Sequence, residues 1–301
     1  MNPSEMVLAS FVADSHALGP HWVYNQNKLA AIYPEGVREL DEPRSAYHPE
    51  KSRGDLTHYG DQTLALLESI VAAGGYASER WHADWVAFWE GNTRSYRDGA
   101  TTETLAHAEA GTPGPSASND LSATARLAPV LASLAAAPLT ERIAAARAQN
   151  AMTHGDAAVI DSAEFFTRVV DALTQGERMA ESLTKAAAEG AWTAGGLDPS
   201  AALNAVHALL EQPVAEVGAR LGLTCHAPEA FPLTLYFLLR YADDPREGLR
   251  ANALAGGDTA ARAMILGYCF AALHGVDWIP ATWLEGMHCR ERVEHAMQTW
   301  G

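Results

Sequence analysis

At two places in the sequence, a glycine turn brings an acidic residue to the start of an apolar helix. Asp61 follows Gly60 in one of them, and Asp258 follows Gly257 in the other. Two carboxylates presented by separate helix starts can converge on one hard cation, which requires oxygen ligands and leaves positions open for a substrate. The pattern alone leaves a cation site open, and helix capping is the alternative explanation for Asp61 and for nearby Thr63.

A third polar segment lies near the N-terminus. Asp14 interrupts an apolar helix there, and His16 and His21 follow within two turns. Asp14 either has a direct chemical role or accepts a hydrogen bond from a buried backbone N–H, and the sequence leaves both open.

A fourth polar segment places His154 at a predicted helix start. The free N–H groups and the positive end of the helix dipole favour an anionic group at such a position. A lone histidine in a helical protein is more often structural, so His154 gains a role only together with other residues. A group of aromatic residues earlier in the chain has spacings close to those of a helical face. This pattern favours core packing, with a stacking wall for a base as the alternative. The group consists of Trp81, Trp85, Phe88, Trp89 and Tyr96.

The chain that carries these residues is predicted to be all-α. Alanine is abundant, and apolar residues recur at intervals of three and four residues. Asp156 is placed to cap a helix that runs to Leu173, and Asp198 and Asp244 each precede a proline at a first helical position.

Two irregular segments, residues 42–58 and 111–118, lead directly into polar motifs. Long irregular segments in a compact domain are more often functional loops than linkers. Neither segment marks a change of composition. We therefore expect one helical domain over residues 1–301.

Charge and hydropathy exclude several classes of function. The 301 residues carry a formal net charge of −16, so unspecific binding to nucleic acid or acidic lipid is not expected. The longest apolar stretch, residues 263–273, is far shorter than the ~20 residues that span a bilayer. No basic stretch precedes the first apolar run, and the three scattered cysteines are expected to be buried free thiols. We expect a soluble, cytoplasmic chain, and its acidic surface is compatible with a monomer.

Taken together and in order, these segments resemble the ADP-ribosylglycohydrolase family, which includes the dinitrogenase reductase-activating glycohydrolase and the ADP-ribosyl-acceptor hydrolases. The most specific part covers residues 256–286, which is similar to the family's GGDTDT helix and the segment after it. The other matches are Asp14 to the aspartate of GDALG, residues 60–63 to TDDT, residues 126–129 to RIAP, and Thr153 with His154 to the TH pair.

The resemblance implies an all-α multi-helix bundle that binds ADP-ribose at two magnesium or manganese ions and hydrolyses its bond to an acceptor. By resemblance, Asp61 and Asp258 are metal ligands, with Thr63 beside them. It also implies contacts with free or protein-linked ADP-ribose for Asp14, Asn119, Asp120, His154, Gly256 and Gly257, although Asn119 and Asp120 lie two positions earlier than the family's asparagine and glycine.

The chain departs from the family pattern at four ligand positions, which hold Gly60, Gln62, Ala260 and Ala261. The remaining acidic ligands cannot offset two dications, so we expect at most one Mg²⁺ and allow for none. By resemblance, the position of the family's catalytic glutamate corresponds to His21, and a histidine there can still act as a general base near neutral pH. His21 and Asp61 are therefore the candidate catalytic residues.

Three functions follow as hypotheses. The first is a divergent hydrolase that cleaves an ADP-ribosyl or related N- or O-glycosidic bond. The second is a catalytically inactive relative that binds ADP-ribose or another nucleotide as a sensor, in which His21, His58 and His154 hold a diphosphate without metal. The third, and least favoured, is a scaffold that keeps only the fold.

Overall fold

The computed structural model describes residues 2–92 and 94–298, and within them the chain forms helices and three isolated β-bridges but no strand. The all-α prediction is confirmed. The helices are α1 Pro3–Ala17, α2 Gln26–Ile32, α3 His58–Ala73, α4 Ser78–Gly91, α5 Gly99–Glu109, α6 Ser122–Ala125, α7 Ala128–Ser133, α8 Leu139–Ala151, α9 Ala157–Thr174, α10 Met179–Glu189, α11 Pro199–His207, α12 Val214–Leu221, α13 Ala227–Arg240, α14 Pro245–Ala255, α15 Thr259–His274, α16 Ala281–Gly286 and α17 Arg290–Gln298.

Several helices begin at the capping acids that the local sequence predicts. The Asp156 carboxylate accepts the N–H groups of Ala158 and Val159 and so caps α9. Asp198 and Asp244 cap α11 and α14 in the same way, each before a proline in the first turn. Proline costs no hydrogen bond there, because a first-turn N–H has no partner within the helix.

Helix α15 runs through the middle of the hydrophobic core. Its residues 259–272 are all buried, and it packs most extensively against α1. A Cβ atom on Gly267 would lie only 2.6 Å from the carbonyl oxygen of Ala9, so a glycine is required where these two helices cross. The apolar stretch singled out in the sequence is thus a core helix, and no helix among the described residues is long and apolar enough to span a membrane.

The predicted aromatic group divides between two environments. Trp81, Trp85 and Trp89 of α4 are buried in a smaller hydrophobic cluster against α3, which confirms the core-packing interpretation for them. The indole N–H of Trp85 donates to the side-chain oxygen of Gln62 at 2.8 Å. Tyr96 lies outside this cluster and contacts Trp22 and His58 instead.

Two irregular segments carry polar residues to the ends of helices. Residues 33–57 connect α2 to α3 without regular structure, and residues 112–121 lead from the end of α5 to α6. Both predicted irregular segments are therefore present, except that His58 already belongs to α3. Cys269 and Cys289 are buried free thiols as expected, whereas Cys225 is a free thiol that is only partly buried. The interpretation of residues 1–301 as one domain stays a prediction.

Candidate functional site

Three histidine side chains from different segments meet at the start of α3. His21 follows α1, His48 lies in the irregular segment, and His58 is the first residue of α3. One ring nitrogen of each lies within 4.8 Å of the corresponding nitrogens of the other two, and all three side chains are buried. Nε2 of His48 is 3.2 Å from Nδ1 of His58. The structure thus groups His48, rather than His154, with His21 and His58.

Two aspartates lie behind this histidine cluster. Asp98 is the N-cap of α5, and its Oδ2 is 3.3 Å from Nε2 of His58. Asp258 is the N-cap of α15, and its Oδ1 is 3.5 Å from Nδ1 of His21, which the Ala260 N–H also approaches at 3.4 Å. Each carboxylate therefore faces a ring nitrogen on the edge of the cluster.

Burial controls the protonation of His21 and His48. Together with the smaller effect of neighbouring charged groups, it lowers the pKa of His48 to about 3 and that of His21 well below its usual value. Burial also raises the pKa of Asp258 to about 6, against the opposing effect of Arg262. The rings of His21 and His48 are therefore neutral at pH 7 and keep a nitrogen lone pair.

Tyr59 lies where three carboxylates approach one another. Its hydroxyl donates to Oδ2 of Asp258 at 3.3 Å. Burial raises the pKa of Tyr59 well above its usual value, and the negative charges of Asp258, Asp120 and Asp98 raise it further. These carboxylates come from three separate segments, so the fold concentrates negative charge around this phenol.

An aromatic cover lies over the histidines; it consists of Trp22, Tyr47 and Tyr96. The Trp22 ring is 4.5 Å from that of His21 and 5.0 Å from that of His58, measured between centroids. Tyr47 and Tyr96 contact Trp22 edge-on, and Tyr47 is 48% exposed. Trp22 is the one non-glycine residue in the described ranges with a positive φ, 59°. Such strained backbone is concentrated at functional sites in proteins.

Gly256 and Gly257 hold the segment that carries Trp22 against the start of α15. Both have positive φ angles, 80° and 68°. A Cβ on Gly256 would lie 2.5 Å from the carbonyl oxygen of Val23, and one on Gly257 would lie 2.1 Å from that of Leu223. Both glycines are therefore required for backbone packing, and their contact with a substrate stays a prediction.

Asp14 accepts a hydrogen bond from a buried backbone N–H, which is one of the two roles that the sequence left open for it. Thr57 donates its N–H to one carboxylate oxygen of Asp14 at 2.7 Å and its hydroxyl to the other at 2.6 Å. Burial raises the pKa of Asp14 to about 7, although both hydrogen bonds lower it. A Cβ on Gly60 would lie 2.2 Å from Oδ2 of Asp14, so the carboxylate occupies the space that a side chain at position 60 would need.

The residues predicted to bind a hard cation have other partners. Asp61 lies 2.5 Å from Nζ of Lys51 and accepts a hydrogen bond from the Ser95 hydroxyl. The Thr63 hydroxyl donates to the backbone carbonyl of Tyr59 within α3. The partners of Asp61 and those of Asp258 share no residue. This arrangement does not fit a magnesium ion held jointly by Asp61, Thr63 and Asp258.

A buried chain of polar side chains connects α3 to His154. Oε1 of Gln62 accepts from Arg126 at 2.6 Å, and Arg126 also donates to Thr153 at 2.5 Å. The Thr153 hydroxyl is 2.8 Å from Nδ1 of His154, whose Nε2 is 3.1 Å from Asp120. Burial alone would raise the pKa of Asp120, but the charge and hydrogen bond of His154 outweigh it and hold this pKa below its usual range.

The segment before α6 is tied to the start of α13. Nδ1 of His226 is 2.6 Å from the side-chain oxygen of Asn119, and the Ala227 N–H donates to the Asn119 carbonyl at 2.8 Å. Asp120 accepts the N–H of Ser122 at 2.9 Å. Both predicted substrate contacts of this segment are thus engaged within the protein, and their role toward a ligand stays a prediction.

Four residues of the site were missed by the sequence analysis, namely Trp22, His48, Tyr59 and Asp98. Asp98 followed by glycine before a helical pattern is a recognisable N-cap signal. His48 lies in an irregular segment that the sequence had marked as functional. Their proximity to His21 and His58 depends on tertiary structure, which no local signal reports.

Comparisons with known proteins connect this site to a family. The family model described as ADP-ribosylglycohydrolase matches residues 4–299. One similar solved structure, titled "ADP-ribosylglycohydrolase-related protein complex", has a TM-score of 0.73 and 20% sequence identity, and the match covers 99% of this chain and 98% of that chain. At this identity the likeness shows the fold alone. The comparison with curated proteins found no match.

Proposed function

The chain belongs to the ADP-ribosylglycohydrolase family, and from this premise we propose that it hydrolyses an ADP-ribosyl or related N- or O-glycosidic bond. One observation carries the proposal: Asp98, Asp120 and Asp258 are buried around Tyr59 at separate helix starts. Burying carboxylates is costly, and a stable helical core does not require them. Groups of this kind mark the place where a positively charged transition state would be stabilised.

Asp258 is the carboxylate that we assign to the chemistry. Cleavage of a glycosidic bond passes through an oxocarbenium-like transition state, and a nearby carboxylate stabilises the positive charge that develops on the sugar. Asp258 lies at the N-terminus of α15, between His21 and Tyr59. The Tyr59 hydroxyl fixes one carboxylate oxygen, so the side chain is held in one orientation. The aromatic cover must move to admit a substrate.

The test is release of ADP-ribose from ADP-ribosyl-arginine and from an ADP-ribosylated serine peptide, with and without a chelator. We expect turnover by the unmodified chain and a loss of roughly 100-fold or more in Asp258→Asn, since a single charged group that acts in the transition state contributes about this much. The matched control is Asp277→Asn, which removes an exposed carboxylate. Thermal unfolding of each variant verifies that it is folded at the assay temperature. Equal turnover by Asp258→Asn and the control would refute the assignment.

The alternative function is binding of ADP-ribose or another nucleotide without cleavage. A specific observation favours it: Asp61 is neutralised by Lys51, and Gln62 is engaged by Arg126, so two positions of the family's metal motif have become structural. Calorimetric titration of ADP-ribose distinguishes the two. Binding to the unmodified chain, with no release from either substrate, would favour the sensor over the hydrolase.

A further inference from the structure

We propose that His21, His48 and His58 form a site for a divalent transition metal of the Zn²⁺ type. Three imidazole rings, each coordinating through one nitrogen, are a ligand set that proteins use for zinc with an open fourth position. Magnesium prefers oxygen ligands and would not select this set. The proposed ion therefore differs in chemistry and in ligands from the Mg²⁺ that the sequence predicted at Asp61 and Asp258.

The distances within the cluster suit one small ion. Two nitrogens bound to a tetrahedral zinc ion at about 2.0–2.1 Å lie about 3.3 Å apart. Nε2 of His48 and Nδ1 of His58 are already 3.2 Å apart. One ring nitrogen of His21 lies within 4.8 Å of a ring nitrogen of each of the other two histidines, so a ring movement of about 1.5 Å would bring it to the spacing that a shared ion requires.

The outer nitrogens of two rings face carboxylates, as is usual around metal-bound histidines. Asp98 is 3.3 Å from Nε2 of His58, which leaves Nδ1 of that ring for the metal. Asp258 is 3.5 Å from Nδ1 of His21, which leaves Nε2. A carboxylate behind a ligand fixes the ring tautomer and raises the basicity of the coordinating nitrogen. When Nε2 of His21 binds the metal, Nδ1 of the same ring carries the proton. Nδ1 would then donate a hydrogen bond to Asp258 instead of accepting the long contact from the Ala260 N–H.

Unsatisfied nitrogen atoms inside the cluster support the same conclusion. Within the described ranges, Nε2 of His21 is buried and has no hydrogen-bond partner. Nε2 of His48 and Nδ1 of His58 form a hydrogen bond only when one of the two nitrogens carries a proton and donates it to the other. Buried polar atoms in native proteins nearly always have a partner. A cation among the three rings would satisfy Nε2 of His21 and take the place of the shared proton.

The aromatic cover explains how the ion would be retained. Trp22 stacks on His21, and Tyr96 contacts both Trp22 and His58. The three histidines are each at most 1% exposed, so the ion would exchange only when the cover moves. The proposal does not rest on the hydrolase function, because an inactive relative would bind the metal equally well. It assigns His21 to metal binding, whereas the proposed hydrolysis relies on Asp258.

The test uses the full chain, stripped of metal by a chelator and titrated with Co²⁺ as a spectroscopic probe. We expect visible absorption typical of four-coordinate Co²⁺, displacement of Co²⁺ by Zn²⁺, and no displacement by a large excess of Mg²⁺. Metal analysis after gel filtration should find about one Zn²⁺ per chain. An empty chain after loading, or displacement by Mg²⁺, would overturn the proposal.

Variants separate this site from adventitious binding. His48→Ala should abolish Co²⁺ absorption and Zn²⁺ retention. The matched control is His16→Ala, which removes another buried histidine that stacks on Trp283 at 4.0 Å outside the cluster, and it should retain the metal. Asp98→Asn keeps all three rings and should weaken Zn²⁺ binding by about 10-fold to 100-fold, which tests the site even where His48→Ala fails to fold. Equal retention by His48→Ala and the control would exclude the site.

Discussion

Helices α3 and α15 both have a glycine followed by an aspartate near their start, yet the two aspartates lie in opposite environments. Asp258 immediately precedes α15, caps it, and is buried beside His21. Asp61 is already the fourth residue of α3 and points to Lys51 near the surface. An acid before the first turn faces the helix N-terminus, whereas an acid one turn later is carried around the helix. The same short motif therefore serves the site in one helix and an ion pair in the other.

The start of α3 receives its carboxylate from a distant part of the chain. Thr57 caps this helix through its hydroxyl, which accepts the Tyr59 N–H. Asp14 of α1 in turn holds both the N–H and the hydroxyl of Thr57. Asp14 thus occupies a position at α3 comparable to that of Asp258 at α15. Three substitutions test this contrast.

The largest effect is expected for Asp258→Ala, which should lower the free energy of unfolding by about 3 kcal/mol. Asp258 accepts the Tyr59 hydroxyl and, as the N-cap of α15, the Ala261 N–H, and all three residues are buried. Alanine would leave both donors without an acceptor. Denaturant unfolding at pH 5, below the pKa of about 6 of Asp258, measures the loss without the cost of a buried charge, and Asp277→Ala should change stability by no more than about 0.5 kcal/mol. A loss as small as that of the control would end the contrast between the two helix starts.

The second effect concerns pH and tests Asp14. Its pKa is 3.8 in the unfolded chain, and burial, with a smaller effect of the Asp61 charge, raises it to about 7 in the folded protein. The folded state therefore holds an extra proton between these values, and the stability this gives is lost as the pH rises toward 7. The difference in unfolding free energy between the unmodified chain and Asp14→Asn should fall by about 1 kcal/mol per pH unit from pH 5 to 7. A difference independent of pH would show that Asp14 is ionised throughout this range.

The smallest effect is expected for Asp61→Asn. Asp61 and Lys51 form an ion pair whose side chains are 17% and 6% exposed. Its loss should cost about 1–2 kcal/mol, which is more than an exposed pair contributes and less than the loss of a fully buried one. A loss of similar size should appear in Lys51→Met, and the double variant should lose little more than either single variant. The coupling should weaken only slightly in high salt, because most of the pair is shielded from solvent. A cost above that of Asp258→Ala would reverse the proposed order.

Local signals allowed much of the fold to be predicted from the sequence. Asp156, Asp198 and Asp244 cap helices through bonds to residues two or three positions away, so their roles can be identified from neighbouring residues alone. The order of family motifs identified the fold as a whole. The exception is α3, which begins at His58 because Thr57 is held by Asp14, 43 residues earlier. No local pattern reports that contact.

The site was less predictable than the fold. The sequence singled out His21, His58 and Asp258, but it did not find His48 or Asp98, which are brought to them by an irregular segment and by the start of α5. Their assembly depends on how α1, α3, α5 and α15 pack. A carboxylate also has no fixed function in a sequence, since its partners decide whether it binds a ligand or closes an ion pair, as Asp61 and Asp258 show.

The close approach of Asp14 to Gly60 makes the effect of one position depend on the other. A threonine at position 60, as in the family's TDDT motif, would place its Cβ 2.2 Å from a carboxylate that Thr57 holds in place. The family pattern has both that threonine and the aspartate of GDALG, so restoring the threonine requires the Asp14 side chain to turn rather than to be replaced. Turning it would cost both hydrogen bonds to Thr57. Positions 14 and 60 are therefore epistatic, because the cost of Gly60→Thr is set by the orientation of the Asp14 side chain.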